Sequence, residues 1–183
     1  MTNLATALVA VVFPTVVFVG VATLQSAHSG RDQALKSATP QNPTPLNMRL
    51  YYDNDVVDSF WGALGKSGRV AEQRFLEEDL VFPTLYGGAI AGSLLWLLPV
   101  TGLSWRPWLV VSPLVVGVMG DWTENLIQLE QLRRYGALGK NGLDASAIRL
   151  SSLATDLKLA GVTLSGVLLL VLVAAFLRRA AAS

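Results

Sequence analysis

The sequence predicts an all-α membrane protein, with four transmembrane helices and an amphipathic helix in the first loop. Three observations predict it. Apolar residues fill 52% of the 183 positions, and the mean hydropathy is +0.47. Charged residues fill only 15%, whereas ordinary soluble domains carry about 25%. Apolar stretches also recur at a length near the roughly 20 residues that carry a helix across a hydrocarbon core. Open strands cannot satisfy their backbone in lipid, so these stretches are expected to be helical.

Residues 1–24 form the first predicted unit. Positions 4–24 are 21 residues without a charge. They lack the basic leader of a secretory signal, and only Ala27-His28-Ser29 resembles a cleavage site, so a retained span is expected. Residues 25–46 read as a linker, with Pro40, Pro43 and Pro45 among Thr, Gln and Asn. In residues 47–80, Tyr52, Val56, Phe60 and Leu64 recur every fourth position, flanked by Val57 and Trp61. Asp55 and Asp58 fall on the other side, which predicts an amphipathic helix. Asp53 intrudes on its apolar face, and the polar face is not rich in Lys or Arg. The helix is therefore expected to pack on protein rather than to lie on lipid.

Residues 81–183 carry the other three predicted spans and a polar cluster. The second span is 81–100. The third runs from 108 to about 129 and is apolar only as far as Gly120. The fourth is strongest over 159–177, with a polar lead-in from Leu153. Arg31, Lys36, Lys66, Arg69, Arg74, Arg133, Arg134, Lys140 and Arg149 lie in the loops after the first and third spans, against Arg106, Arg178 and Arg179 on the opposite side. This asymmetry predicts cytoplasmic loops and external termini.

Composition also narrows the chemistry. The 14 Lys and Arg against 13 Asp and Glu leave a net charge of +1, so no nucleic-acid partner is expected. There is no cysteine and one histidine, His28, which excludes disulfides, thiolate centres and multi-His metal sites. No cofactor is implied. Membrane lipid is the expected surrounding partner.

Two octets resemble each other: Trp61-Gly-Ala-Leu-Gly-Lys-Ser-Gly68 and Tyr135-Gly-Ala-Leu-Gly-Lys-Asn-Gly142. Each precedes a predicted span entering from the same side. Either the chain is two tandem helical hairpins, as in parallel-repeat transporters, or the likeness follows from its Val, Leu and Gly composition. Gly65-Lys66-Ser67 ends like a phosphate-binding loop, but the required first glycine falls at Phe60. A glycine of positive φ stopping a helix explains the octet better.

Polar residues inside the predicted spans carry the functional reading. An ionisable side chain in a span costs about 2.5–3.5 kcal/mol on insertion scales and marks a site by default. Gly117, Asp121, Glu124, Asn125 and Gln128 share one helical face. The second and fourth spans begin where the third ends, and bring Asp79, Tyr86, Thr155, Asp156 and Lys158 to the same depth. Lys158 is the expected counter-ion of Asp121 or Glu124, with Arg149 as the alternative if the fourth helix starts early.

The residues Asp79, Phe82-Pro83 and Tyr86, then Asp121-x-x-Glu124-Asn125, then Thr155-x-x-Lys158 resemble those of a group of small four-span membrane proteins of uncharacterised activity. The likeness covers roughly residues 47–177. It implies that these positions act together, and it implies no activity.

The expected function is therefore an intramembrane pocket for a small hydrophobic or lipid ligand, with proton transfer as a further capacity. Asp121 and Glu124 would be acid and base. Asn125 and Tyr86 would orient polar groups, Lys158 would balance charge, and Asp79 and Thr155 would complete the binding layer. The alternative is a non-catalytic subunit of a larger membrane complex, which predicts internally paired polar groups and no ligand-sized cavity. Conduction needs a continuous polar path, which the apolar outer halves of the spans do not offer.

Overall fold

A computed structural model describes Arg31, Gln33, Lys36 and residues 44–181. The first predicted span, residues 4–24, and most of the linker lie outside the described residues, so the first helix of the first proposed hairpin is not described. Among the described residues the structure is all helical and has no strand. A short 3-10 turn at Leu46–Met48 precedes four helices: α1, Asn54–Asp79; α2, Phe82–Thr101; α3, Pro107–Leu138; and α4, Ala145–Ala181. A second 3-10 turn, Gly139–Gly142, joins α3 to α4.

The amphipathic segment forms α1, with one correction at its start. Asp53 does not intrude on the apolar face: it is the N-cap, its carboxylate accepting from the backbone N–H groups of Asp55 and Val56. Tyr52 consequently precedes the helix. Val57, Phe60, Trp61 and Leu64 are buried on protein as the periodicity requires, together with Phe75, Leu76, Leu129, Leu132 and Ile148. Gly65, at φ 62° and ψ −172°, breaks the helical backbone without ending α1, so it kinks the helix rather than stopping it. Its counterpart in the second octet, Gly139, has φ 60° and does end α3. The leading aromatics of the two octets, Trp61 and Tyr135, pack edge to face with centroids 5.6 Å apart.

Two helical stretches are long and apolar enough to cross a membrane: 54–101, whose uncharged part is α2, and α4. The test is one of length and composition. The helix α3 does not meet it, because Asp121 and Glu124 follow its apolar first half. The fourth helix begins at Ala145, earlier than the apolar pattern indicates.

Short connections set the bundle. The close contacts of α3 with α4 pair Gly117 with Gly161 and Gly120 with Lys158, as antiparallel neighbours must. A Cβ on Gly161 would stand 2.7 Å from the Gly117 nitrogen, so the two backbones touch there. Glycine is the residue that permits this approach. Helix α2 runs against α3, with Trp122 Nε1 donating to the Leu80 carbonyl at 2.9 Å. At the far end Leu94, Leu97, Leu98, Val110 and Leu172 form a second apolar cluster, flanked by Trp96 and Phe176. A polar layer lies between the two apolar clusters.

Candidate functional site

The third helix delivers the centre of this layer. Between Val115 and Gln128, its buried positions are Gly117, Gly120, Asp121, Glu124, Asn125 and Gln128, while Val115, Val116, Met119 and Leu126 are exposed. That distribution is the reverse of the one water imposes, in which buried large side chains are apolar and charged ones stay outside.

Lys158 reaches across from α4 and bridges two carboxylates, with Nζ 2.8 Å from Asp121 Oδ1 and 3.1 Å from Glu124 Oε2. Arg149 is not the counter-ion; it lies with Asp53, Asn54 and Asp55 around a separate surface depression. The Tyr86 hydroxyl donates to Asp121 Oδ2 at 3.0 Å. Asn125 Nδ2 donates to Asp79 Oδ2 at 3.1 Å and to Asp121 Oδ1 at 3.3 Å. Gln128 Nε2 donates to Glu124 Oε1 at 3.0 Å and to the Tyr52 hydroxyl at 3.1 Å. That hydroxyl lies 2.7 Å from Ser151 Oγ and 3.3 Å from Thr155 Oγ1. One chain of hydrogen bonds therefore runs from Tyr86 on α2 to Tyr52 ahead of α1.

The expected site residues divide into two sets around this chain. Asp79, Tyr86, Asp121 and Lys158 line a cavity of about 420 Å³, closed by Phe75, Phe82, Ile90, Leu159 and Val162 among others. Glu124, Asn125 and Thr155 are fully buried behind it and do not line it. Asp156 takes no part in the bridge and lines a separate, more open depression along α4.

Sequence reasoning missed Tyr52, Ser151 and Ser152. Tyr52 counted as one more apolar position on an amphipathic face, yet its backbone N–H donates to Ser152 Oγ at 3.1 Å and its hydroxyl joins the polar chain. The paired serines at the start of α4 were the available signal. A second buried ion pair was also missed. Arg31 Nε lies 3.9 Å from Glu72 Oε2, both nearly inaccessible, and the guanidinium stacks 3.9 Å from the Phe75 ring centroid. Burial pushes the Glu72 carboxyl up to about 7, against the opposing pull of Arg31.

The arrangement can hold an amphiphile: a charged, hydrogen-bonding base and apolar walls meet in one cavity of ligand size, which is typically 300–1,000 Å³. As general acid and base, Asp121 and Glu124 are poorly placed. Asp121 already accepts from Lys158, Tyr86 and Asn125, and Glu124 has no exposed surface. Among the described residues no group of three or more His, Cys, Asp or Glu is arranged to hold a metal ion. Compared with family models, curated proteins and solved structures, the chain matches none of them.

Proposed function

We propose that this chain is a multi-pass membrane protein that binds a small hydrophobic or lipid ligand in the cavity between α2 and α4. In this reading the spans are α2, α3 from Trp108 to about Leu129 and the apolar part of α4, with residues 4–24 as a further span, and α1 lies outside the hydrocarbon. The inverted polarity of α3 supports the membrane setting, since side chains that face acyl chains must be apolar and charged ones must turn inward. The observation that carries the ligand reading is the cavity itself, about 420 Å³, with Asp79, Tyr86, Asp121 and Lys158 at its base.

Binding is favoured over proton transfer because the two expected catalytic carboxylates are saturated by donors or shut away from the cavity. Internal pairing by Lys158 is what a purely structural subunit of a membrane complex would also show. That alternative has no use for an open cavity beside the pair.

Mass spectrometry of small molecules retained by the purified protein tests the reading, with Ile90→Trp as the comparison. This substitution fills the cavity wall and leaves every carboxylate in place. A molecule retained by the wild type and lost from the folded variant is the expected result. Equal retention, or none from either, would favour the structural subunit.

A further inference from the structure

Resting on that reading, we infer that the ligand carries a cationic head, an amine or quaternary ammonium on an apolar tail, and that Asp79 recognises it. The inference comes from how charge is distributed around the cavity. Asp79, Asp121 and Glu124 surround a single ammonium, Lys158, whose contacts go to Asp121 and Glu124. The next cation, Arg31, is matched by the buried Glu72 and packs on Phe75. The two cations thus face four buried carboxylates.

Among the described residues, Asp79 is the one of these four carboxylates that makes no ion-pair contact, and Lys158 and Arg31 act on it only from farther away. It is 4% exposed and lines the cavity, and the side-chain donor that reaches its carboxylate is the neutral amide of Asn125. That amide supplies a second observation. Asn125 turns its Nδ2 toward both Asp79 and Asp121 and leaves its Oδ1 buried without a partner. An amide that spends its donor side on two carboxylates, at the expense of its own acceptor, fits two anionic acceptors. An ammonium in the cavity would complete the pairing that Lys158 begins.

The walls suit such a molecule. The Phe82 and Tyr86 rings, 5.2 Å apart, both line the cavity and are side chains of the kind that attract a cation. Ile90, Leu159 and Val162 continue as an apolar track between α2 and α4 for the tail. An anionic head would meet Asp79 and Asp121 directly and be repelled.

The test uses the full chain purified in a neutral detergent and three labelled probes of equal chain length: dodecylamine, dodecanol and dodecanoate. Dodecylammonium is expected to bind the wild type about 30-fold or more tightly than dodecanol, the ratio that a buried charge pair provides. Asp79→Asn is expected to abolish that preference, so that dodecylammonium binds the variant no more tightly than dodecanol does. Equal binding of dodecylammonium and dodecanol would overturn the cationic head and leave the amphiphile pocket standing. Preferential binding of dodecanoate would do the same. Failure of all three probes on folded protein would remove pocket and head together. Should Asp79→Asn not fold, the order of the three probes on the wild type decides the question.

Discussion

Two levels of this bundle bury side chains in different balance. Around the first half of α1 the interior is Val57, Phe60, Trp61 and Leu64, with Asp55 and Asp58 facing outward or at the margin; farther along, Phe75 and Leu76 are joined by a buried Glu72 paired with Arg31 and by Asp79. Midway along α3 the interior is Asp121, Glu124, Asn125 and Gln128, and the outside is Val115, Val116, Met119 and Leu126. One backbone geometry serves both, so the helices themselves do not explain the difference. On the proposed membrane reading, solvent does. A face presented to water is polar at no cost, whereas a face presented to acyl chains is apolar, and polar groups survive there only by pairing inward. On that reading the contrast draws a boundary across the molecule near the start of α2 and the end of the polar face of α3.

The sharpest way to break the contrast is at its centre. Lys158→Met leaves Asp121 and Glu124 buried together without their shared cation. The expected loss is about 3–5 kcal/mol of stability, read as a collapse of the thermal transition in detergent or of the folded yield. Unchanged unfolding would mean that water already bathes the cluster.

A matched pair of surface substitutions sharpens the boundary next. Val70 on α1 and Leu164 on α4 are equally exposed, at 50% and 49%. Membrane insertion of Leu164→Lys is expected to suffer by about 2.5–3.5 kcal/mol, whereas Val70→Lys should stay within about 0.5 kcal/mol of the wild type. A glycosylation-mapping assay of insertion separates the two. Equal tolerance at both positions would erase the boundary.

These contrasts were partly legible in the sequence. The face shared by Asp121, Glu124, Asn125 and Gln128 follows from helical spacing, and Lys158 was the first expected counter-ion there, with Arg149 as the alternative if the fourth helix started early. Phe60 and Leu64 announced their burial through a four-residue period. Tyr52 was misread because an aromatic ring satisfies an apolar pattern and its hydroxyl leaves no trace in that pattern. Asp53 was misread because capping depends on where the helix begins, which periodicity fixes poorly. The division of the site residues between cavity wall and buried support depends on side-chain reach across three helices, and no spacing within one helix contains that information. The pairing of Arg31 with Glu72 is likewise a contact between distant segments.

Tyr52→Phe gives a smaller expected effect. It removes a hydroxyl that joins Gln128, Ser151 and Thr155 and keeps the ring. A loss of about 0.5–1.5 kcal/mol is expected, smaller than that of Lys158→Met because no charge is stranded. Tryptophan fluorescence during denaturation would measure it, and a loss as large as the lysine variant's would make this neutral end of the chain its true anchor.

The smallest effect is a slope with pH. Glu72 lies outside the proposed spans, and its folded-state value of about 7 stands above the ordinary 4.5. The folded protein therefore keeps a proton that the unfolded chain releases between those values. Its stabilising contribution is complete below pH 4.5 and is lost as the pH rises through about 7. Thermal unfolding from pH 4.5 to 8 should show this decline, and Glu72→Gln should flatten it. A stability that rises across the same interval in the wild type would reverse the assignment.

Among the described residues, the cluster of Leu94, Leu97, Leu98, Val110 and Leu172 closes the far end of the bundle. Five fully packed aliphatic or branched side chains offer a travelling ion neither water nor a ligating atom. On the proposed reading, a charge that arrives at Asp79 departs through the doorway that admitted it, and exchange by a single copy is with the surrounding bilayer, sideways between α2 and α4.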